Sequence, residues 1–114
     1  MTAHSWYARS FVFHVKIDSS LDYPYLFCWE SDKNVGNTIW GDYWPGEPMV
    51  ENENGWFTRE LPPQQHNGNL HCIVTCEAGN NQTPNIAIDG SKSDVWITVN
   101  ASYEYMVYYE EPTI

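Results

Sequence analysis

The chain has 114 residues, 16% of them aromatic, and its fifteen acidic against five basic residues give a formal charge of -10. That length supports one hydrophobic core and excludes a second lobe or an elaborate catalytic cleft. The charge repels phosphate backbones and anionic lipid, so neither nucleic acid nor a membrane surface is an expected partner, and a neutral ligand is the natural alternative.

Six Trp, eight Tyr and four Phe exceed what a core of this size needs, because bulky rings are hard to bury completely. Some of them are expected to face water. The opening Met1-Thr2-Ala3-His4 lacks the basic and apolar regions of a secretion signal. An exported protein would therefore contain this chain as an excised piece.

In chain order, the first element is a half-buried strand over Phe11 to Ile17, with Phe11, Phe13, Val15 and Ile17 on one face and His14 and Lys16 on the other. Tyr25 to Trp29 alternates again. Period two places Tyr25, Phe27 and Trp29 on one face and Leu26 and Cys28 on the other. Two arrangements fit: the rings fill the core, or Leu26 and Cys28 pack inward and present the rings to solvent. Periodicity alone does not choose between them.

Further strands are expected over Trp56 to Leu61, Asn69 to Glu77, Asn85 to Ile88, Asp94 to Asn100 and Tyr103 to Glu110, divided by Gly, Pro, Asn and Asp clusters. Pro45, Pro48 and Pro62-Pro63 would interrupt helices, and no stretch carries a 3.6-residue period. The reading is an all-β antiparallel sandwich of about seven or eight short strands, one domain over residues 1–114. Trp56, after a Gly turn, and Trp96, between Val95 and Ile97, are expected in the core. Ala78 to Gln82 is expected to be an exposed polar loop.

Cys72 and Cys76 on one extended strand would lie ~13 Å apart, beyond the span of a disulfide, so at most Cys28 pairs with one of them. Three buried thiols used as small apolar residues is the simpler reading. Their spacing does not match a zinc signature, and neither a metal nor a cofactor is expected.

Catalytic patterns are missing. No Gly-x-Ser-x-Gly elbow, His-Glu-x-x-His helix or phosphate loop occurs, and Asp18, Asp22, Glu51, Glu53, Glu110 and Glu111 fall in polar runs or near a terminus. A glycoside hydrolase needs one carboxyl raised by an apolar setting, and no such pair stands out. The expectation is a binding module, not an enzyme.

Several blocks carry a resemblance: Pro24-Tyr25-Leu26-Phe27-Cys28-Trp29, then Trp40, then Trp44-Pro45-Gly46-Glu47-Pro48-Met49, then Gly55-Trp56-Phe57, then Asn81-Gln82-Thr83-Pro84-Asn85, then Asp94-Val95-Trp96-Ile97-Thr98. Over about Phe11 to Thr98 their order resembles family 26 of the starch-binding carbohydrate-binding modules, which is related to family 25. The resemblance implies an immunoglobulin-like sandwich whose ligand is the α-1,4-glucan chain of starch and malto-oligosaccharides. It implies Tyr25, Phe27 and Trp40 as stacking rings, and it departs from the family at Phe27, where relatives tend to carry Tyr or His.

Trp44 has two readings, a turn residue on the core edge or an additional ligand ring. Gln82 and Asn81 offer donors and acceptors for sugar hydroxyls or serve as turn residues. The resemblance also implies a monomeric module covalently linked to others in a secreted or cell-surface bacterial protein such as an amylase. The rival reading is an immunoglobulin-like protein-interaction module, whose exposed Trp and Tyr would anchor a partner protein.

Overall fold

The computed structural model describes residues 11–30, 44–52, 54–61, 69–76 and 79–113. Alternation decides the architecture, beginning with β1 (Phe11–Ile17), which buries Phe11, Phe13 and Val15 and leaves Val12 and His14 half-buried. The remaining strands are β2 (Tyr25–Glu30), β3 (Glu47–Pro48), β4 (Val50–Glu51), β5 (Phe57–Leu61), β6 (Asn69–Cys76), β7 (Asn81–Gln82), β8 (Ile86–Asp89), β9 (Asp94–Val99) and β10 (Tyr105–Tyr108). The chain is all-β in these residues, as the sequence implies.

Two sheets form the sandwich. One has the order β10-β9-β1-β5-β4; in the other β3-β2-β6-β7 run side by side, with β8 also paired to β6. Pairing is antiparallel except between β1 and β9, which run parallel with Phe13 opposite Val95 and Val15 opposite Ile97. The parallel pair is a departure from the purely antiparallel expectation. Both strands bury one alternating face, so the pair is stabilised by the core it covers.

The two inner faces meet in a cluster that includes Phe13, Leu26, Cys28, Leu61, Cys72, Val74, Ile86 and Ile97. Each large apolar side chain removed from water contributes about 1.5–3 kcal/mol. The short segment from Glu47 to Glu51 steps between sheets, because β3 pairs with β2 and β4 pairs with β5. Met49, between them, is fully buried and fixes that corner.

Turns use side-chain oxygens in place of backbone acceptors. The Asp18 carboxylate accepts the Ser20 amide at 2.9 Å, Asn52 Oδ1 accepts the Asn54 amide at 2.9 Å, Asp89 accepts the Ser91 amide at 3.0 Å and Asn100 Oδ1 accepts the Ser102 amide at 2.9 Å. This local chemistry is why Asp and Asn punctuate the strands.

Trp56 is buried as expected, with the Lys16 Nζ 5.3 Å from its ring centre. Trp96 is not in the core. It lies half-buried on the outer face of β9, stacked on His14 with ring centres 4.6 Å apart and planes 9° apart, while Val95 and Ile97 fill the interior. Strict alternation reverses the reading that its apolar neighbours suggest. Asp94 Oδ1 lies 2.9 Å from His14 Nε2 and holds the imidazole in the stack.

Cys28 and Cys72 stand directly opposite one another in the β2–β6 register, and they and Cys76 are buried thiols outside any disulfide. Burial pushes the Cys28 and Cys72 thiols well above their ordinary value of 9.0, because the thiolate loses solvation that the thiol does not need. A raised native value stabilises the fold below the unfolded value and is lost above it. The contribution of these thiols to the urea midpoint is therefore expected to be full up to about pH 9 and to be lost beyond it. A Cys28→Ala/Cys72→Ala variant should show a flatter alkaline limb.

Candidate functional site

On β2 the burial pattern alternates from half-buried Tyr25, Phe27 and Trp29 to buried Leu26, Cys28 and Glu30. Leu26 and Cys28 face the core, so the rings face outward, and this chooses between the two arrangements that periodicity leaves open. Small inward residues suit this strand because Cys72 and Val74 of β6 occupy the same layer.

A turn crosses this outer face. Gly46 lies against the Leu26–Phe27 peptide, where a Cβ would sit 2.3 Å from the Leu26 carbonyl oxygen, and its φ is +103°. β3 flanks β2 on the side away from β6, yet the Thr75 hydroxyl of β6 lies 3.4 Å from the Pro45 carbonyl oxygen. The chain therefore passes over β2 between Gly46 and Pro45, and Thr75 beneath it is fully buried. Only a glycine permits so close an approach at a positive φ.

The crossing delivers Trp44 onto the ring surface. Its ring centre is 5.3 Å from that of Phe27 with planes at 60°, its Nε1–H points to the Gly79 carbonyl oxygen at 3.4 Å, and it is 44% exposed. Such an edge-to-face pair is a favoured aromatic geometry. Gly79 has φ +94°, and a Cβ there would lie 2.7 Å from Trp44 Nε1. The exposed ring thus sits beside Phe27 and not at the core edge.

Phe27 also meets Trp29 at 5.8 Å, and Trp29 is nearly parallel to His71 at 5.6 Å and 17°. A continuous ridge runs Trp44, Phe27, Trp29, His71. Tyr25 belongs to a neighbouring group, its ring 5.9 Å from Tyr23, which in turn meets Phe57 at 5.5 Å. The Tyr23 hydroxyl donates to the Met49 carbonyl, tying this group to the inter-sheet corner.

Gln82 and Asn81 are exposed, but they form the short strand β7 where an irregular loop is expected. Gln82 pairs with Thr75, which pairs with Tyr25, so Gln82 and Tyr25 share an outward row about two strand spacings, ~9.5 Å, apart. Thr83 secures this placement: its amide donates to the Val74 carbonyl at 3.0 Å and its Oγ1 accepts the Val74 amide at 3.1 Å. In the Gln-Thr-Pro block the buried Thr is thus structural and the exposed Gln is available to a ligand. Trp40 lies outside the described residues.

The structure therefore places Tyr25, Phe27, Trp44 and Gln82 on one outer face. Sequence reasoning passed over His71, which the alternation of buried Leu70, Cys72 and Val74 around it assigns to the same face. Among the described carboxylates, Asp89 bonds Ser91, and Asp94 bonds His14 and Ser93. An outward aromatic ridge bordered by amide side chains can stack on the apolar face of a ring-shaped ligand and bond its polar rim.

A β-sandwich carrying such a ridge on one sheet is a surface-binding module. Residues 13–88 match the model of starch-binding module family 26, and the chain belongs to that family. A solved structure of CBMbc, a family 26 module from Amy13K of Eubacterium rectale in complex with maltoheptaose, is 22% identical with a TM-score of 0.64 over 97% of this chain and 54% of its own. This chain therefore spans about half of that structure's length. The modules CBM25-1 and CBM25-2 of the beta/alpha-amylase of Paenibacillus polymyxa are 12% and 13% identical, with TM-scores of 0.60 and 0.59, over 92% and 93% of this chain and 97% and 98% of their own. Curated proteins give no match.

Proposed function

We propose that this chain binds α-1,4-glucan, as starch or malto-oligosaccharide, without catalysis, through Tyr25, Phe27 and Trp40 with Trp44 beside them and Gln82 and Asn81 as hydroxyl partners. The observation that carries the reading is the outward ridge around Phe27, which lies inside the family match and is built by its Trp-Pro-Gly turn. A pyranose presents apolar C–H faces with hydroxyls around its rim, so one ring face and a nearby amide complement it.

A shallow platform buries little of its ligand. A single site then supports micromolar to millimolar binding, about 4–8 kcal/mol. Useful retention follows from linkage to other modules, which raises effective concentration. We place the chain in a secreted or cell-surface bacterial protein, an amylase or a starch-capturing surface protein, as a monomeric unit holding polysaccharide near the rest of the molecule.

Affinity electrophoresis tests the reading. The isolated chain is expected to be retarded in gels containing soluble starch or amylopectin and to migrate freely in gels without polysaccharide. Free migration in every glucan gel would overturn the assignment in favour of a protein-interaction module.

A further inference from the structure

Glucan binding by the Phe27 region leaves two aromatic side chains of the same face unassigned. Trp29 is half-buried on β2 and lies two residues beyond Phe27, about 7 Å further along the strand, with their ring centres 5.8 Å apart. Across the sheet it stacks on His71, and the register continues from His71 to Ala87. Ala87 is exposed and small, so among the described residues the strand neighbour of the imidazole on the side away from Trp29 is not a large side chain.

His71 forms no hydrogen bond with any described residue, and its Nδ1 is buried without a partner. Among the described residues, stacking on Trp29 alone holds the ring. Its second nitrogen remains able to donate to or accept from a hydroxyl. A histidine kept on a sheet surface with neither nitrogen bonded to a described residue is poorly explained by stability, since buried polar atoms are normally paired.

The other direction along β2 is obstructed. The Trp44–Pro45–Gly46 turn crosses over the sheet toward Thr75 and Gly79, and Tyr23 with Phe57 closes the surface beside Tyr25. Among the described residues, the aromatic ridge continues past Phe27 only toward Trp29 and His71, so that is the course we assign to a chain longer than the Phe27 region can hold.

We propose that Trp29 and His71 form a distal subsite that engages the additional sugars of longer α-1,4-glucans, Trp29 by stacking and His71 by bonding a hydroxyl, so that this pair reads chain length. From Tyr25 to Trp29 the strand covers ~13 Å, enough for more than two sugar rings in line. This proposal rests on the glucan reading of the Phe27 region.

Isothermal titration with maltotriose and maltoheptaose separates the two. Wild type is expected to bind maltoheptaose more tightly than maltotriose. Trp29→Ala should weaken maltoheptaose about fivefold, about 1 kcal/mol for one ring contact, and leave maltotriose within about twofold. Trp29→Phe should retain most of the length preference, and His71→Ala should reduce it with Trp29 intact. Near-ultraviolet dichroism checks that each variant keeps native packing, and His71→Ala carries the test if Trp29→Ala fails to fold.

Equal weakening of both oligosaccharides would mean that Trp29 only props Phe27 and would overturn the subsite. Unchanged maltoheptaose binding in both Trp29→Ala and His71→Ala would overturn it too. In either case a wild type that binds glucan leaves the Phe27 assignment standing. Wild type that binds neither oligosaccharide would overturn that assignment and the subsite with it.

Discussion

Phe27→Ala is expected to weaken glucan binding about 30-fold, the equivalent of about 2 kcal/mol, and so to abolish visible retardation in a starch gel. Phe27 is the middle of the ridge, with Trp44 at 5.3 Å on one side and Trp29 at 5.8 Å on the other. Truncation removes a stacking face and also lets both neighbours collapse into the gap. The loss should therefore exceed that of an isolated ring contact, which is about 0.5–1.5 kcal/mol. Trp40→Ala is expected to produce a comparable loss, on the strength of its position in the family resemblance. Phe27→Tyr adds a hydroxyl on the same ring and is expected to equal or improve on wild type. Full retardation of Phe27→Ala would remove this ridge from the site.

Gly46→Ala is expected to cost about 3 kcal/mol or more in unfolding free energy, read from the urea midpoint. Two effects add: a positive φ strains any L side chain by about 1–3 kcal/mol, and the new methyl meets the Leu26 carbonyl oxygen at 2.3 Å. Backbone on both sides prevents easy relief. Gly55→Ala is the control, because Gly55 also has a positive φ, +85°, but its nearest neighbour is the Lys16 side chain at 3.9 Å. It should lose only the conformational part, about 1–3 kcal/mol. Where Gly46→Ala remains folded it should still bind glucan poorly, since displacing the turn displaces Trp44. Equal costs at Gly46 and Gly55 would contradict the close crossing.

The strands were legible because burying one face imposes a period of two, and Phe11 to Ile17 and Tyr25 to Trp29 carry it cleanly. Orientation was not legible on β2, since either Leu26 with Cys28 or the three rings could serve as the apolar face. What decides it is the layer built by Cys72 and Val74 of β6, more than forty residues away. Trp96 misled for a related reason: three consecutive apolar residues read as core, while the strand admits only alternate ones. Asn81 and Gln82 have turn composition, and their strand character comes from pairing with β6 and the clasp of Thr83 on Val74.

The site was legible only in part. The resemblance implied Tyr25, Phe27 and Trp40 as stacking rings, of which Trp40 lies outside the described residues, and it left Trp44 between a turn role and a ligand role. Its position depends on contacts with Gly79 and Phe27 at sequence separations no local pattern encodes. His71 has a signal in β6, where buried Leu70, Cys72 and Val74 around it assign it to the outer face.

The segment from Glu47 to Glu51, stitched to both sheets and riveted by buried Met49, makes the aromatic ridge part of the sandwich's frame. Trp44 is separated from that corner by only Pro45 and Gly46, so it cannot swing without prising the sheets apart or breaking the contact with Leu26. A ligand meets surfaces already set at their working angles and has few side chains to freeze, so the ordering entropy lost by the protein is small. Such stiffness permits weak contacts to suffice for binding.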